Sequence, residues 1–71
     1  MSELIKALED YRALNNLNWG EVAKNIGVSP SAITLWLQEE RAPDLDSVRK
    51  MLKIPQLRPA VLEYLRKNGG E

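Results

Sequence analysis

Residues 18–43 read NWGEVAKNIGVSPSAITLWLQEERAP, and this stretch decides the fold. Asn18 is a preferred N-cap residue, and Glu21 three residues later completes a capping-box pattern. Gly27 follows the last apolar residue of this segment, at a point where glycine adopts a left-handed helix end without a steric penalty. The stretch therefore predicts a short helix that begins after Asn18 and ends at Gly27.

A second helix is predicted to begin directly after this turn. Ser29 suits its N-cap, and Pro30 suits its first position, where a missing N–H costs nothing. Apolar residues recur at helical spacing in both segments, so each helix has one face for a core. The predicted core residues are Val22, Ala23 and Ile26 in the first helix, and Ala32, Ile33, Trp36 and Leu37 in the second. Two helices joined by a short turn that contains glycine are typical of a helix-turn-helix.

The flanking segments supply three further helices. Ser2 caps a first helix that ends near Leu14, Asp44 caps a fourth helix over residues 45–53, and a last helix covers residues 59–67. Their predicted buried residues are Leu4, Leu8, Tyr11 and Leu14, then Leu45, Val48, Met51 and Leu52, and finally Val61, Leu62 and Leu65. We expect an all-α, compact bundle of five short helices in one domain, residues 1–71, with the motif at 18–40 and a frayed terminus at Glu71.

Composition narrows the classes of function. The 71 residues include no cysteine and no histidine, so the commonest metal ligands and the commonest catalytic base are missing. There is no glycine-rich phosphate loop, and we expect neither an enzyme nor a metal or cofactor site. No apolar run reaches the ~20 residues of a membrane span, and the first residues lack the order of a signal peptide. The expected location is the cytoplasm.

The charge distribution is uneven although its sum is zero. Ten basic residues balance ten acidic ones, whereas nucleic-acid-binding domains are typically basic. Residues 1–40 hold three basic and six acidic groups, and residues 41–71 hold seven basic and four acidic groups. The second half can therefore form one positive face, or it can pair with the first half.

Six residues of the motif region have a familiar spacing: Ala23, Gly27, Val28, Ile33, Trp36 and Pro43. In these residues the chain resembles the XRE-type helix-turn-helix family of phage Cro and repressor proteins, over residues 17–54. The resemblance implies a lambda-repressor-like fold and a DNA-binding transcription regulator, a repressor of the Cro type. Its second motif helix, residues 30–40, would lie in the major groove of double-stranded DNA. Homodimers on two half-sites are usual in such proteins.

The resemblance also implies which residues meet DNA. The base-contact positions that carry over are Ser29, Pro30, Ser31, Thr34, Leu35 and Gln38. The first turn of the first motif helix offers N–H groups to a phosphate, and nearby cations would flank the groove. The expected phosphate contacts are Asn18, Trp19, Gly20, Lys24, Arg41, Arg49 and Lys50.

Three departures from the family pattern keep two other functions open. Family members commonly have Gln, Arg or Lys where this chain has Pro30 and Leu35, and they usually have Gly where it has Glu39. One alternative is a weakly DNA-binding targeting domain of a larger protein. The other is a helix-turn-helix used for protein–protein contact, with Leu35 expected to be exposed on the second motif helix as the interface.

Overall fold

The computed structural model describes residues 3–69, and every regular element in that part of the chain is helical. The α-helices are α1 Glu3–Leu14, α2 Trp19–Ile26, α3 Pro30–Leu37, α4 Leu45–Lys50 and α5 Arg58–Tyr64. A 3-10 turn, Met51–Lys53, extends α4, and a π-helical turn, Leu65–Gly69, extends α5. The predicted all-α bundle of five helices is confirmed. The predicted cap at Ser2 and the predicted frayed end at Glu71 lie outside the described residues.

Local hydrogen bonds set the bounds of α2 as the sequence predicts. The Glu21 N–H donates to Asn18 Oδ1 at 2.8 Å, and the Asn18 N–H donates to Glu21 Oε1 at 2.9 Å, which is a complete capping box. At the other end Gly27 has φ of 100°, the left-handed conformation predicted for it. Its N–H donates to the Ala23 carbonyl at 2.8 Å, so the last turn of α2 is closed.

The start of α3 also agrees with the sequence. The Ala32 N–H donates to Ser29 Oγ at 3.2 Å, and Pro30 occupies the first helical position. Only Gly27, Val28 and Ser29 separate α2 from α3, so the two helices are held at a fixed angle by short-range geometry. This pair, α2 and α3, is the helix-turn-helix that the rest of the chain supports.

The core takes side chains from all five helices and from the segment before α5. The buried apolar residues are Leu4, Ile5, Leu8, Tyr11, Val22, Ala23, Ile26, Ile33, Trp36, Val48, Met51, Ile54, Leu57 and Val61. α1 packs against α5, and the Asn15 side-chain amide donates to Gln56 Oε1 at 2.9 Å beside this contact. The outer helices therefore close over the apolar faces of the motif.

Three leucines predicted to be buried lie at the surface instead. Leu14 is 76% exposed, Leu45 is 51% exposed and Leu62 is 58% exposed. Leu14 and Leu45 are the terminal residues of α1 and α4, where no neighbouring element covers the helix. Leu62 is turned about 100° from buried Val61 on α5, away from the core. Ile5 and Ser47, which the sequence interpretation left out of the core, are buried, and so is Leu57, which it favoured as core.

Several predicted helix ends are also wrong. α3 ends at Leu37 rather than near residue 40, because Glu39 adopts a left-handed conformation with φ of 61°. The Glu40 N–H then donates to the Leu35 carbonyl and the Glu39 N–H to the Trp36 carbonyl, both at 3.0 Å, which is the Schellman pattern.

The helical segment that α4 forms with its 3-10 turn covers residues 45–53 as predicted, whereas the bounds of α5 differ from the prediction. α4 tightens into its 3-10 turn after Lys50, and α5 begins one residue before Pro59. The α-helical part of α5 ends at Tyr64, where the π-helical turn takes over. Asp44 stands at the N-cap of α4, but its side chain makes no capping hydrogen bond.

We expect Glu39→Gly to raise the free energy of unfolding by about 1 kcal/mol. A left-handed conformation costs an L-residue roughly 1–2 kcal/mol, and glycine escapes this cost while losing more backbone entropy on folding. Urea denaturation of both proteins measures the change. Glu39→Ala is the control, since it removes the same carboxylate and keeps the strain. Equal stabilisation by Ala and Gly would assign the effect to charge.

Candidate nucleic-acid interface

Four exposed side chains share one face of α3. Pro30, Ser31, Thr34 and Gln38 lie at helix positions i, i+1, i+4 and i+8, within a sector of about 100°. The opposite side of the helix buries Ile33 and Trp36 in the core. We call these four residues the α3 face, and it holds four of the six base-contact positions expected from the sequence.

The other two expected base-contact residues are placed differently. Ser29 uses its Oγ to cap α3, so its first role is structural. Leu35 is half-buried rather than exposed, which corrects the expectation for it. Its neighbours line a groove of about 250 Å³, formed by Ala32, Leu35, Trp36, Arg41, Ala42, Asp44 and Ser47. Leu35 therefore borders the α3 face and presents only part of its side chain.

Thr34 is the central residue of the α3 face, and its hydroxyl is already engaged. Thr34 Oγ1 donates to the Pro30 carbonyl one turn earlier, at 3.2 Å. This is the i−4 hydrogen bond that threonine commonly makes within helices. The hydroxyl proton is therefore held by the backbone, and the γ-methyl and the oxygen lone pairs remain for an outside partner.

The first turn of α2 offers fewer groups to a phosphate than the sequence suggests. The N–H and the side-chain oxygen of Asn18 are both used in the capping box, and the Glu21 carboxylate lies against them. Trp19 is half-buried and packs against the core. What remains are the N–H groups of Trp19 and Gly20, which have no partner within the helix because they belong to its first turn.

Arg12 supports this end of α2 and was absent from the predicted site. Its guanidinium carbon lies 5.2 Å from the centroid of the Trp19 ring, and its Nη1 donates to the Leu17 carbonyl at 3.3 Å. The cation–π contact holds the Trp19 side chain against the protein. Arg12 thus fixes the position of the first turn of α2, and no sequence spacing pointed to this pairing between two helices.

Three lysines surround the turn between α2 and α3. Lys24 is in the last turn of α2, and Lys50 Nζ donates to the Gly27 carbonyl at 3.3 Å. Lys53 Nζ lies 3.5 Å from the point where a Cβ on Gly27 would stand. Lys50 also pairs with Asp46 at 3.5 Å. We call Lys24, Lys50 and Lys53 the turn cluster.

Charges at the other end of α3 have mostly the opposite sign. Glu39, Glu40 and Asp44 are exposed there, and Arg41 is the exposed cation among them. The Ser47 hydroxyl lowers the pKa of the Asp44 carboxyl below its ordinary value, which favours its charged form. α3 itself contains no charged residue. The side-chain charges around α3 are therefore positive near its N-terminus and mostly negative near its C-terminus.

Lys50 and Arg49 are adjacent but should contribute differently to stability. We expect Lys50→Met to lower the free energy of unfolding by about 0.5–1 kcal/mol, because it removes a cation from the carbonyl end of α2. The Arg49 side chain is exposed and makes no hydrogen bond or ion pair within residues 3–69, so Arg49→Met should stay within about 0.5 kcal/mol of the parent. Urea denaturation distinguishes the two, and equal losses would contradict a structural role for Lys50.

The fold and this surface define a helix-turn-helix protein. A helix-turn-helix family model matches residues 8–62, which extend from α1 into α5. The chain belongs to this family, the XRE-type helix-turn-helix domains, which is a family of DNA-binding domains. Comparison with curated proteins found no match, and comparison with solved structures found none. Among residues 3–69, no helix is long and apolar enough to cross a membrane.

Proposed function

We propose that this chain is a cytoplasmic transcription regulator of the phage repressor and Cro type that places α3 in the major groove of DNA. The observation that carries the proposal is the α3 face, a row of exposed, uncharged side chains on the second helix of the motif. In helix-turn-helix proteins this helix meets base edges through its N-terminal residues. Pro30, Ser31 and Thr34 occupy those positions here.

The charges around α3 favour entry by its N-terminal end. Lys50 and Lys53 of the turn cluster lie beside Gly27, three residues before Pro30, so these cations are close to the end that would meet the bases. The first-turn N–H groups of α2 can bind a further phosphate. Glu39, Glu40 and Asp44 stand at the far end, where a phosphate would be repelled. This arrangement orients α3 with its first turn deepest in the groove.

The small number of cations implies weak binding by one protomer. The exposed cations of α2, of the loop between α3 and α4, and of α4 with its 3-10 turn are Lys24, Arg41, Arg49, Lys50 and Lys53. Non-specific affinities of such domains are typically in the range of 10⁻⁴–10⁻⁶ M, and they fall as salt rises. We propose a homodimer on two half-sites about one DNA turn apart, since two weak contacts then act together.

The test is selection of bound sites from random-sequence duplex DNA, followed by binding measurements at two salt concentrations. We expect an enriched palindrome and an affinity that falls with salt. Arg49→Ala should reduce the salt slope by about one unit on every sequence, if Arg49 contacts a phosphate. Lys6→Ala, which removes an exposed cation of α1 outside the expected contact residues, is the matched control and should leave the slope unchanged. Binding without any enriched site would instead support a targeting domain of a larger protein.

One observation favours a second function, protein–protein contact. A groove of about 260 Å³ lies beside the end of α3, lined by Ile5, Trp36, Glu39, Arg41, Ala42, Pro43 and Tyr64. It shares Trp36, Arg41 and Ala42 with the groove that Leu35 borders. Together these apolar grooves can receive side chains of a protein partner. Failure to bind DNA at low salt would move the proposal to this function.

A further inference from the structure

The α3 face lacks the groups that most often read guanine. The helix sequence PSAITLWL has no Arg or Lys, whereas bidentate contacts from these residues to O6 and N7 are the commonest specific contacts in the major groove. Pro30 instead offers a ring, Thr34 a methyl group and Leu35 part of its side chain. The apolar feature that such groups meet in the major groove is the C5-methyl of thymine.

The hydrogen bond that Thr34 makes also favours contact with a thymine methyl over contact with guanine. Guanine presents two acceptors in the major groove, so a threonine that reads guanine must donate its hydroxyl proton. Thr34 already donates this proton to the Pro30 carbonyl at 3.2 Å. The γ-methyl and the oxygen lone pairs of Thr34 therefore remain free, and the γ-methyl is the one that can discriminate between bases through apolar contact.

We propose that the Thr34 methyl, flanked by Pro30 and Leu35, reads a thymine C5-methyl, so that the preferred ligand is duplex DNA with thymine opposite Thr34 in each half-site. This inference rests on the proposed function, because it requires α3 to lie in the major groove. It goes further by naming the base and the chemical group that carry the discrimination. Thymine and uracil differ only in this methyl, which makes the inference directly testable.

The experiment uses the full chain and the duplex enriched by selection. Each thymine is replaced in turn by deoxyuridine, which leaves the charge and the hydrogen-bonding groups of the DNA unchanged. We expect the dissociation constant to rise about fourfold at one thymine per half-site, the amount that one buried methyl group contributes. Replacement at other positions should leave it unchanged.

Two variants separate the methyl of Thr34 from its hydroxyl. Thr34→Ser removes the methyl and keeps the hydroxyl, so it should bind the thymine and deoxyuridine duplexes equally at that position. Thr34→Val keeps a methyl and removes the hydroxyl, so it should keep the preference for thymine. Circular dichroism confirms that both variants are folded before binding is measured.

The outcomes distinguish failure of the thymine-methyl inference from failure of the proposed function. A specific site that binds equally with thymine and deoxyuridine at every position would overturn this inference and leave the proposed function standing. A preference kept by Thr34→Ser and lost by Thr34→Val would assign discrimination to the hydroxyl and would also overturn it. Absence of any enriched site would overturn both the inference and the proposed specific regulator.

Discussion

Gly27→Val is expected to lower the free energy of unfolding by about 2–3 kcal/mol, a large fraction of the stability of so small a domain. Gly27 has φ of 100°, a conformation that an L-residue rarely adopts and that a β-branched residue adopts least of all. The nearest atoms to an added Cβ are Lys53 Nζ at 3.5 Å and Lys50 Cδ at 3.9 Å, which are ordinary contacts. The cost is therefore backbone strain rather than collision.

Urea denaturation of Gly27→Val and Gly27→Asn measures this strain. Asparagine tolerates the left-handed region better than other non-glycine residues, so it should lose less stability than valine. The strain also lies in the turn that sets the angle between α2 and α3. DNA binding by Gly27→Val should consequently fall even at temperatures where the variant is folded. Equal stability losses for Asn and Val would contradict the account based on φ.

Both ends of α2 and the start of α3 could be predicted because the interactions that fix them are local. The capping box of Asn18 and Glu21 connects residues three apart, as does the cap from Ser29 to Ala32. Gly27 requires only its own backbone freedom to end α2. The spacing of apolar residues predicted the buried side of α3 for the same reason, and the α3 face follows as its opposite side.

The end of α3 could not be predicted from the same rules. Residues 38–40 read QEE and contain no glycine, so local preference continues the helix where the structure ends it at Leu37. The left-handed conformation falls on Glu39, a residue that disfavours it. This strained residue lies just before Arg41, Ala42 and Pro43, which connect α3 to α4.

Burial of a residue at a helix end depends on which other elements cover that end. The spacing of apolar residues along the sequence carries no information about this. Leu14 and Leu45 lie on the expected stripes of α1 and α4, yet each is the last or first residue of its helix and stands open. For the same reason, the spacing of residues does not predict which side chains from different helices meet at the interface. Arg12 with Trp19, and Lys50 with Gly27, are pairs from different helices, and only the folded chain brings them together.

Ile33→Ala is expected to lower the free energy of unfolding by about 2–4 kcal/mol, because truncating a fully buried side chain leaves a cavity in the core. Ile33 is fully buried, and it lies about 100° around α3 from the exposed Thr34. Leu62→Ala is the matched control, since leucine and isoleucine lose the same number of carbons. Leu62 is 58% exposed, so its truncation should cost less than about 1 kcal/mol.

This pair of variants tests the corrected core as well as the stability of α3. If α5 packed through Leu62, as helical periodicity alone predicts, the two truncations would have similar costs in urea denaturation. A large difference supports packing through Leu57 and Val61, which turns Leu62 away from the core. Ile33→Ala also removes a core contact that holds α3 in position, so this variant should lose DNA affinity at temperatures where it is still folded. Leu62→Ala should bind as the parent does, because Leu62 is on α5 and outside the α3 face.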